Sequence, residues 1–304
     1  MNSDQTAHFW GWMLLFVCAI WGLQFSLIAL SLQDVGPLSF NFLRFALASL
    51  CLTVPLLMRP RTSRIPRGQT RHGIVLGVFL FGGFATQTIG IGLTTASNAG
   101  FITGLNTVLV PVFAWVLLRE AMHGYIVLAV LMGFGGTAML SGGIDGFGLG
   151  EFWVLLCAFS FALHIVLTGR YTRGGDALYL AWVQMITVTL LALISAGLAG
   201  ESIRTLPHRL LGSQQASLLW LSIVLGAVIG SAFGYYAQTV AQKYLAAWRV
   251  GVIYATEPLF GAVAAFFILG ERLVALAWVG AALIIFAMLI AELAAPDKRP
   301  ALTE

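Results

Sequence analysis

Residues 87–120 read QTIGIGLTTASNAGFITGLNTVLVPVFAWVLLRE, and residues 238–271 read QTVAQKYLAAWRVGVIYATEPLFGAVAAFFILGE. At a fixed offset of 151, Gln87-Thr88 falls on Gln238-Thr239, Ala96 on Ala247, Gly100 on Gly251 and Glu120 on Glu271, with Asn106 opposite Glu257. Nine of the 34 pairs are identical. In so apolar a chain that is a faint copy, but repeats of this length are how duplicated membrane folds show themselves.

The chain around the repeat is 59% hydrophobic and 9% charged, with a mean hydropathy of +0.92. A soluble domain of 304 residues cannot hide that much apolar side chain, so the expected solvent is the bilayer. The net charge of +4 sits in short loops and is not a nucleic-acid signature. Cys18, Cys51 and Cys157 lie within apolar runs, without the spacing of a disulfide framework or a metal site. Met1–His8 lacks the basic start of a signal peptide, and the apolar run from Phe9 exceeds a signal core, so it is read as a retained first span.

Apolar runs long enough to cross hydrocarbon recur ten times: Phe9–Leu32, Pro37–Met58, Gly73–Leu93, Ala96–Leu118, His123–Ser141, Glu151–Thr172, Asp176–Ala199, Ser217–Ala241, Ala246–Leu269 and Ala275–Ala294. The expected fold is an all-α polytopic membrane protein of ten transmembrane helices, with repeats at 9–141 and 151–295 and tails at 1–8 and 296–304. Five spans per copy is odd, so the copies face opposite ways and form an inverted pair. The first two helices of each half align at offsets of 139 and 140, which place Cys18 on Cys157 and Arg44 on Gln184. The eleven-residue difference in offset fits the polar loop 200–216.

The loop 59–71 holds five arginines, and the same side collects Arg119, Arg170, Arg173, Lys243, Lys298 and Arg299. Eleven basic residues against three on the other side (Arg204, Arg209, Arg272) place both termini in the cytoplasm. Glycines four apart, among them Gly73/Gly77, Gly100/Gly104, Gly226/Gly230 and Gly230/Gly234, read as close helix packing.

The pattern Glu257-Pro258-Leu259-Phe260 … Leu269-Gly270-Glu271-Arg272-Leu273, with Val110-Pro111-Val112-Phe113 … Leu118-Arg119-Glu120 in the first half, resembles the EamA-like branch of the drug/metabolite transporter superfamily. So does Thr95-Ala96-Ser97-Asn98-Ala99-Gly100-Phe101, which looks like that family's fourth helix. Arg119 departs from the glycine usual there. The resemblance spans about Trp10–Glu292 and implies transport as a class. The superfamily carries amino acids, purines, sugars, polyamines and other metabolites, often outward.

Ionisable groups within the spans are costly and each asks for a reason. Glu257 stands about halfway along the ninth span, and Pro258 removes a backbone donor beside it. A carboxyl there is the candidate for proton coupling and for substrate binding, since transporters build sites at broken helices; assembly alone is the bland alternative. Arg44 is expected to pair with Glu257, attract a substrate carboxylate or reach toward water. Arg249 is expected to snorkel to the interface. His164 more often bonds a neighbouring helix than relays protons. Trp21, Gln24, Gln87, Asn106, Tyr235 and Gln238, with Tyr236, complete the candidate cavity lining, against a background of ordinary packing. Glu120 and Glu271 read as architectural, bonding backbone donors or pairing with Arg119 and Arg272.

The function expected is a secondary-active or facilitative transporter, an exporter of an amino acid or similar amphipathic metabolite, working by alternating access in the inner membrane. Its partners are the substrate, the lipid bilayer and, for a coupled mechanism, protons; it is a monomer or homodimer. No cofactor, metal or nucleic acid enters. The alternatives are an intramembrane enzyme, for which no converging catalytic set is visible, and a non-transporting assembly or receptor subunit.

Overall fold

The computed structural model describes residues 3–59, 65–119, 124–140, 147–172, 175–201, 216–245, 250 and 253–293. Among them run ten helices: α1 (Ser3–Ser31), α2 (Pro37–Leu57), α3 (Gln69–Ile91), α4 (Ala96–Leu118), α5 (Gly124–Leu140), α6 (Leu149–Tyr171), α7 (Ala177–Leu198), α8 (Ala216–Tyr244), α9 (Glu257–Leu269) and α10 (Ala275–Leu293). No strand occurs among the described residues. Seven of the helices, α1–α4 and α6–α8, are long and apolar enough to cross a membrane, and the other three are shorter apolar helices.

Sequence punctuation sets the helix starts. Pro37 opens α2 at a position where the missing N–H costs nothing. Thr95 caps α4 by accepting from the Asn98 N–H at 3.1 Å, and the Asp176 carboxylate caps α7 through the Tyr179 N–H at 3.0 Å. Glu151 reaches back to the Gly148 N–H at 3.1 Å to close the start of α6.

The surface is apolar where a soluble protein's would be polar. Leu57, Leu131, Leu198, Phe267 and Trp278 stand exposed, while Gln24, Asn41, Arg44, His164 and Gln184 are buried. That inversion is what a bilayer selects, since lipid tails accept leucine and the interior must satisfy the polar groups. The chain is a multi-pass membrane protein.

α3 packs on α6 and α7, α4 on α6 and α9, α1 on α8 and α9, α2 on α7 and α8, and α5 on α10. The α2/α7 pair is tied at both ends. At one end the Glu201 carboxylate accepts from the Leu38 and Ser39 N–H groups at 3.1 and 2.7 Å, capping α2. At the other, Arg59 forms an ion pair with Asp176 at the start of α7. Glu271 caps α4 in the same manner, accepting from the Ala96 and Ser97 N–H groups at 2.9 and 3.0 Å. Of the partners expected for Glu271, the backbone is the one found. Glu120 lies outside the described residues.

Two irregularities separate the structure from uniform spans. α8 widens to π-helical geometry over Gly226–Phe233. The ninth span, expected as one run from Ala246, is broken: Ala255 and Thr256 form a turn, and the regular helix begins at Glu257 with Pro258 in its first turn. Glu257 therefore stands at a helix start, not midway along a continuous helix. Proline explains the correction, because it cannot donate to the preceding turn and is stable in a first turn.

Candidate functional site

The site is a cavity lined from seven of the ten helices and the segment preceding α9. α1 supplies Trp21, Gln24, Phe25 and Ile28; α2 supplies Arg44; α3 supplies Phe84 and Gln87; and α4 supplies Thr103 and Asn106. From the other half come Phe161, His164 and Ile165 of α6, Tyr235 and Gln238 of α8, Tyr254, and Glu257 of α9. Of the described residues singled out from sequence as site candidates, all but Tyr236 lie on this wall: Trp21, Gln24, Arg44, Gln87, Asn106, His164, Tyr235, Gln238 and Glu257. Arg249 lies outside the described residues. Tyr236, also considered, faces elsewhere and packs edge-on against Trp10 at 6.3 Å.

The glycine stripe of α8 has a different use from the one its spacing implied. A Cβ placed on Gly226 would come within 2.8 Å of Gln24 Oε1 and 3.1 Å of Arg44 Nε, and one on Gly230 within 3.3 Å of Arg44 Nη2. The stripe admits side chains rather than a neighbouring backbone. Three reach through it. Gln24 Nε2 donates to the Ser222 carbonyl at 3.2 Å, Arg44 Nε to the Gly226 carbonyl at 3.2 Å, and Trp21 Nε1 to the Gly230 carbonyl at 2.7 Å. The carbonyls are four residues apart, on one face of the widened helix. π-helical turns leave the ladder irregular, and donors from α1 and α2 satisfy the oxygens on that face.

Arg44 is 1% exposed, which overturns the expectation that it reaches water. Its Nε also donates to Ser231 Oγ at 2.9 Å, and its guanidinium lies over the Phe84 ring at 4.6 Å. Removing a guanidinium from water costs several kcal/mol (about), so a buried arginine persists only with such acceptors and a ring face beside it.

His164 bonds Gln184 Oε1 of α7 at 2.7 Å, the interhelical role expected of it, while its ring edge meets Tyr235 at 5.6 Å. Gln87 Nε2 donates to Thr103 Oγ1 of α4 at 3.3 Å. Tyr235 is the hub of the aromatic wall, 5.6 Å from Trp21 and 6.0 Å from Phe84. Trp21 in turn meets Tyr254 at 5.3 Å.

Glu257 is brought against α1 by a close crossing. A Cβ on Gly22 would fall 2.6 Å from Phe260 Cβ and 2.9 Å from the Glu257 carbonyl, so only glycine allows α9 to start there. On the far side α4 closes in, and a Cβ on Gly104 would meet Pro258 Cγ at 2.8 Å.

Phe25, Ile28, Phe84, Thr103, Phe161, Ile165 and Tyr254 were not anticipated. Tyr254 had a signal, since it precedes Glu257 by three residues, one helical turn. The phenylalanines had none in a chain with 21 of them. Among the described residues, no three His, Cys, Asp or Glu side chains gather as metal ligands would.

The wall therefore combines amides, one carboxylate, one guanidinium and aromatic rings around one cavity. Comparison with known proteins agrees with a transport role. A model of the EamA-like transporter family matches residues 8–142 and again residues 148–292. An uncharacterized transporter of Archaeoglobus fulgidus is 28% identical over 281 residues, 92% of this chain and 84% of that protein. A protein of Escherichia coli K12 named "Probable amino-acid metabolite efflux pump" is 25% identical over 295 residues, 92% of this chain and 93% of that one. A solved structure, described only as a crystal structure of a protein, superposes with a TM-score of 0.64 at 19% identity, covering 95% of this chain and 97% of its own, and speaks to the fold alone. With two family matches that together span nearly the whole chain, the chain belongs to the EamA-like transporter family.

Proposed function

We propose that this membrane transporter exports a small amphipathic metabolite, an amino acid or a close relative, by alternating access between two inverted five-helix repeats. The observation that carries the reading is the cavity: its wall is contributed by both halves, so rocking one half against the other would open it to either side in turn. The two family matches at 8–142 and 148–292 support the duplication. So does the packing, because an inverted pairing of α1–α5 with α6–α10 maps the α3/α6 contact onto α8/α1, and α4/α6 onto α9/α1. Ten membrane-crossing helices follow from that reading, with α9 and its broken lead-in serving as one span.

The export direction and substrate class rest on the E. coli relative's printed name and on charges of both signs in the cavity. The loop arginines favour cytoplasmic termini in an inner membrane. Glu257 is assigned the coupling role, taking a proton when substrate leaves and releasing it when substrate returns.

Counterflow of a metabolite panel in proteoliposomes, with and without an imposed pH difference, tests the reading. Saturable exchange of an amino acid that responds to the pH difference is the expected result. No exchange of any panel member would remove the transport reading of this cavity.

A further inference from the structure

Four polar atoms of the cavity-lining residues are buried and without a partner: Gln24 Oε1, Asn106 Oδ1, Gln238 Nε2 and Tyr254 Oη. A buried polar atom left unpaired costs about 1–3 kcal/mol, so four on the wall of one cavity ask what completes them. They divide by neighbourhood. Gln24 Oε1 sits beside Arg44, both lying within 3.1 Å of the position a Gly226 Cβ would take. That side is cationic, and the Arg44 Nε and ring face are already committed to Gly226, Ser231 and Phe84.

Asn106 Oδ1 and Tyr254 Oη line the same cavity as the Glu257 carboxylate, which stands at the start of α9. Tyr254 and Glu257 are three residues apart, and α4 is held against the Pro258 ring next to Glu257. Among the described residues, no donor meets that carboxylate. Here the wall presents a carboxylate, an amide oxygen and a phenolic oxygen, each able to accept and none met by a donor among the described residues.

We infer that the cavity recognises its ligand through a single protonated primary amine, seated between Glu257, Asn106 Oδ1 and Tyr254 Oη. An ammonium has three N–H donors and no acceptor, which matches three acceptors one for one. The Arg44 guanidinium lines the same cavity and opposes further positive charge on the ligand, so polycations are disfavoured. The rest of the ligand lies against Trp21, Phe25 and Ile28, which calls for a compact apolar or aromatic body. Gln238 Nε2, the one unpaired donor, accommodates an oxygen on the ligand but does not define it. The inference rests on the reading of the cavity as the substrate site and adds which end of an amphipathic substrate is required.

The test uses the purified full chain in detergent and four probes that differ one group at a time: phenylalanine, phenylalanine methyl ester, β-phenethylamine and 3-phenylpropanoate. Calorimetric titration should show comparable binding of the first three and none of the amine-free acid. Tyr254→Phe and Asn106→Leu should each weaken β-phenethylamine about tenfold, the worth of one hydrogen bond to a charged group, with unchanged unfolding midpoints. Binding of 3-phenylpropanoate as tight as that of phenylalanine would overturn the inference, as would no binding of β-phenethylamine. Counterflow of the same probes separates the two readings: amine binding without flux contradicts transport only, whereas flux of the acid without amine binding contradicts the amine site only.

Discussion

Helices α3 and α4 of the first half and α8 and α9 of the second align at an offset of 151 residues, yet they are built differently. α3 and α4 run as unbroken α-helices of 23 residues each. α8 widens into a π-helical stretch, and the span containing α9 breaks at Ala255–Thr256. Asn106 is the eleventh residue of regular α4, whereas its counterpart Glu257 is the first residue of α9. The break lies between Tyr254 and Glu257 of the cavity wall, and three other wall residues, Trp21, Gln24 and Arg44 of the first half, donate to carbonyls of α8 at or beside its widened stretch. In these aligned pairs the first-half helices are regular and the second-half helices carry the irregular backbone, a feature found at transporter binding sites.

The largest effect expected from disturbing this contrast comes at Gly226. Gly226→Val would push Arg44 and Gln24 off their carbonyls and should lower stability by about 3 kcal/mol, the combined cost of overpacking and unpaired buried groups. Its counterpart Val75, half-buried in regular α3, should tolerate Val75→Leu within about 1 kcal/mol. Equal losses in thermal unfolding would mean that α8 is not special.

Pro258→Ala comes next. Restoring a donor at the break favours continuation of α9 toward Tyr254, so exchange in proteoliposomes should slow severalfold, while Thr107→Ala in α4 leaves it unchanged. An unaffected rate in Pro258→Ala would show that the break does not depend on the proline.

The helix ends reverse the contrast. Arg119 closes α4 in the left-handed conformation at φ 56°, where α9 uses Gly270 at φ 68°. An arginine pays a steric cost there that glycine does not, so Arg119→Gly should raise stability by about 1 kcal/mol, read as a higher unfolding midpoint.

The smallest effect lies at the Arg59–Asp176 pair, partly exposed at one end of α2 and α7. Partial burial pushes the Asp176 carboxyl up, but hydrogen bonds from Arg59 and the Tyr179 N–H outweigh it and hold the group below its ordinary 3.8. A depressed carboxyl contributes stability that is complete above its unfolded pKa and is lost as pH falls through the folded value. Arg59→Ala should therefore cost below about 1 kcal/mol at pH 7, with the difference from wild type vanishing under pH 3.8. A difference that persisted in acid would assign the loss to packing.

Much of the frame is legible in the chain because hydrocarbon demands long apolar runs, and these fall within a few residues of α2–α7 and α10. The polar candidates are legible for the complementary reason: in such a run a Glu257 or Arg44 cannot be incidental. What escaped was whatever depends on partners distant in sequence. Arg44 bonds a backbone carbonyl, that of Gly226, which leaves no residue-type signature. The α8 glycines carry the spacing of helix packing, and only the fold shows that side chains occupy the room. Tyr254 and Phe84 are aromatic residues among many until the helices converge.

The central claim is that Glu257, at the broken helix of the second half, does what Asn106 in the regular half does not. Substrate counterflow at a series of pH values, comparing wild type with Glu257→Gln and Asn106→Ala, tests it most directly. The account predicts that Glu257→Gln inserts normally but loses flux about tenfold or more together with its response to an imposed pH difference, while Asn106→Ala keeps the pH response. Wild-type rates and pH dependence in Glu257→Gln would contradict it.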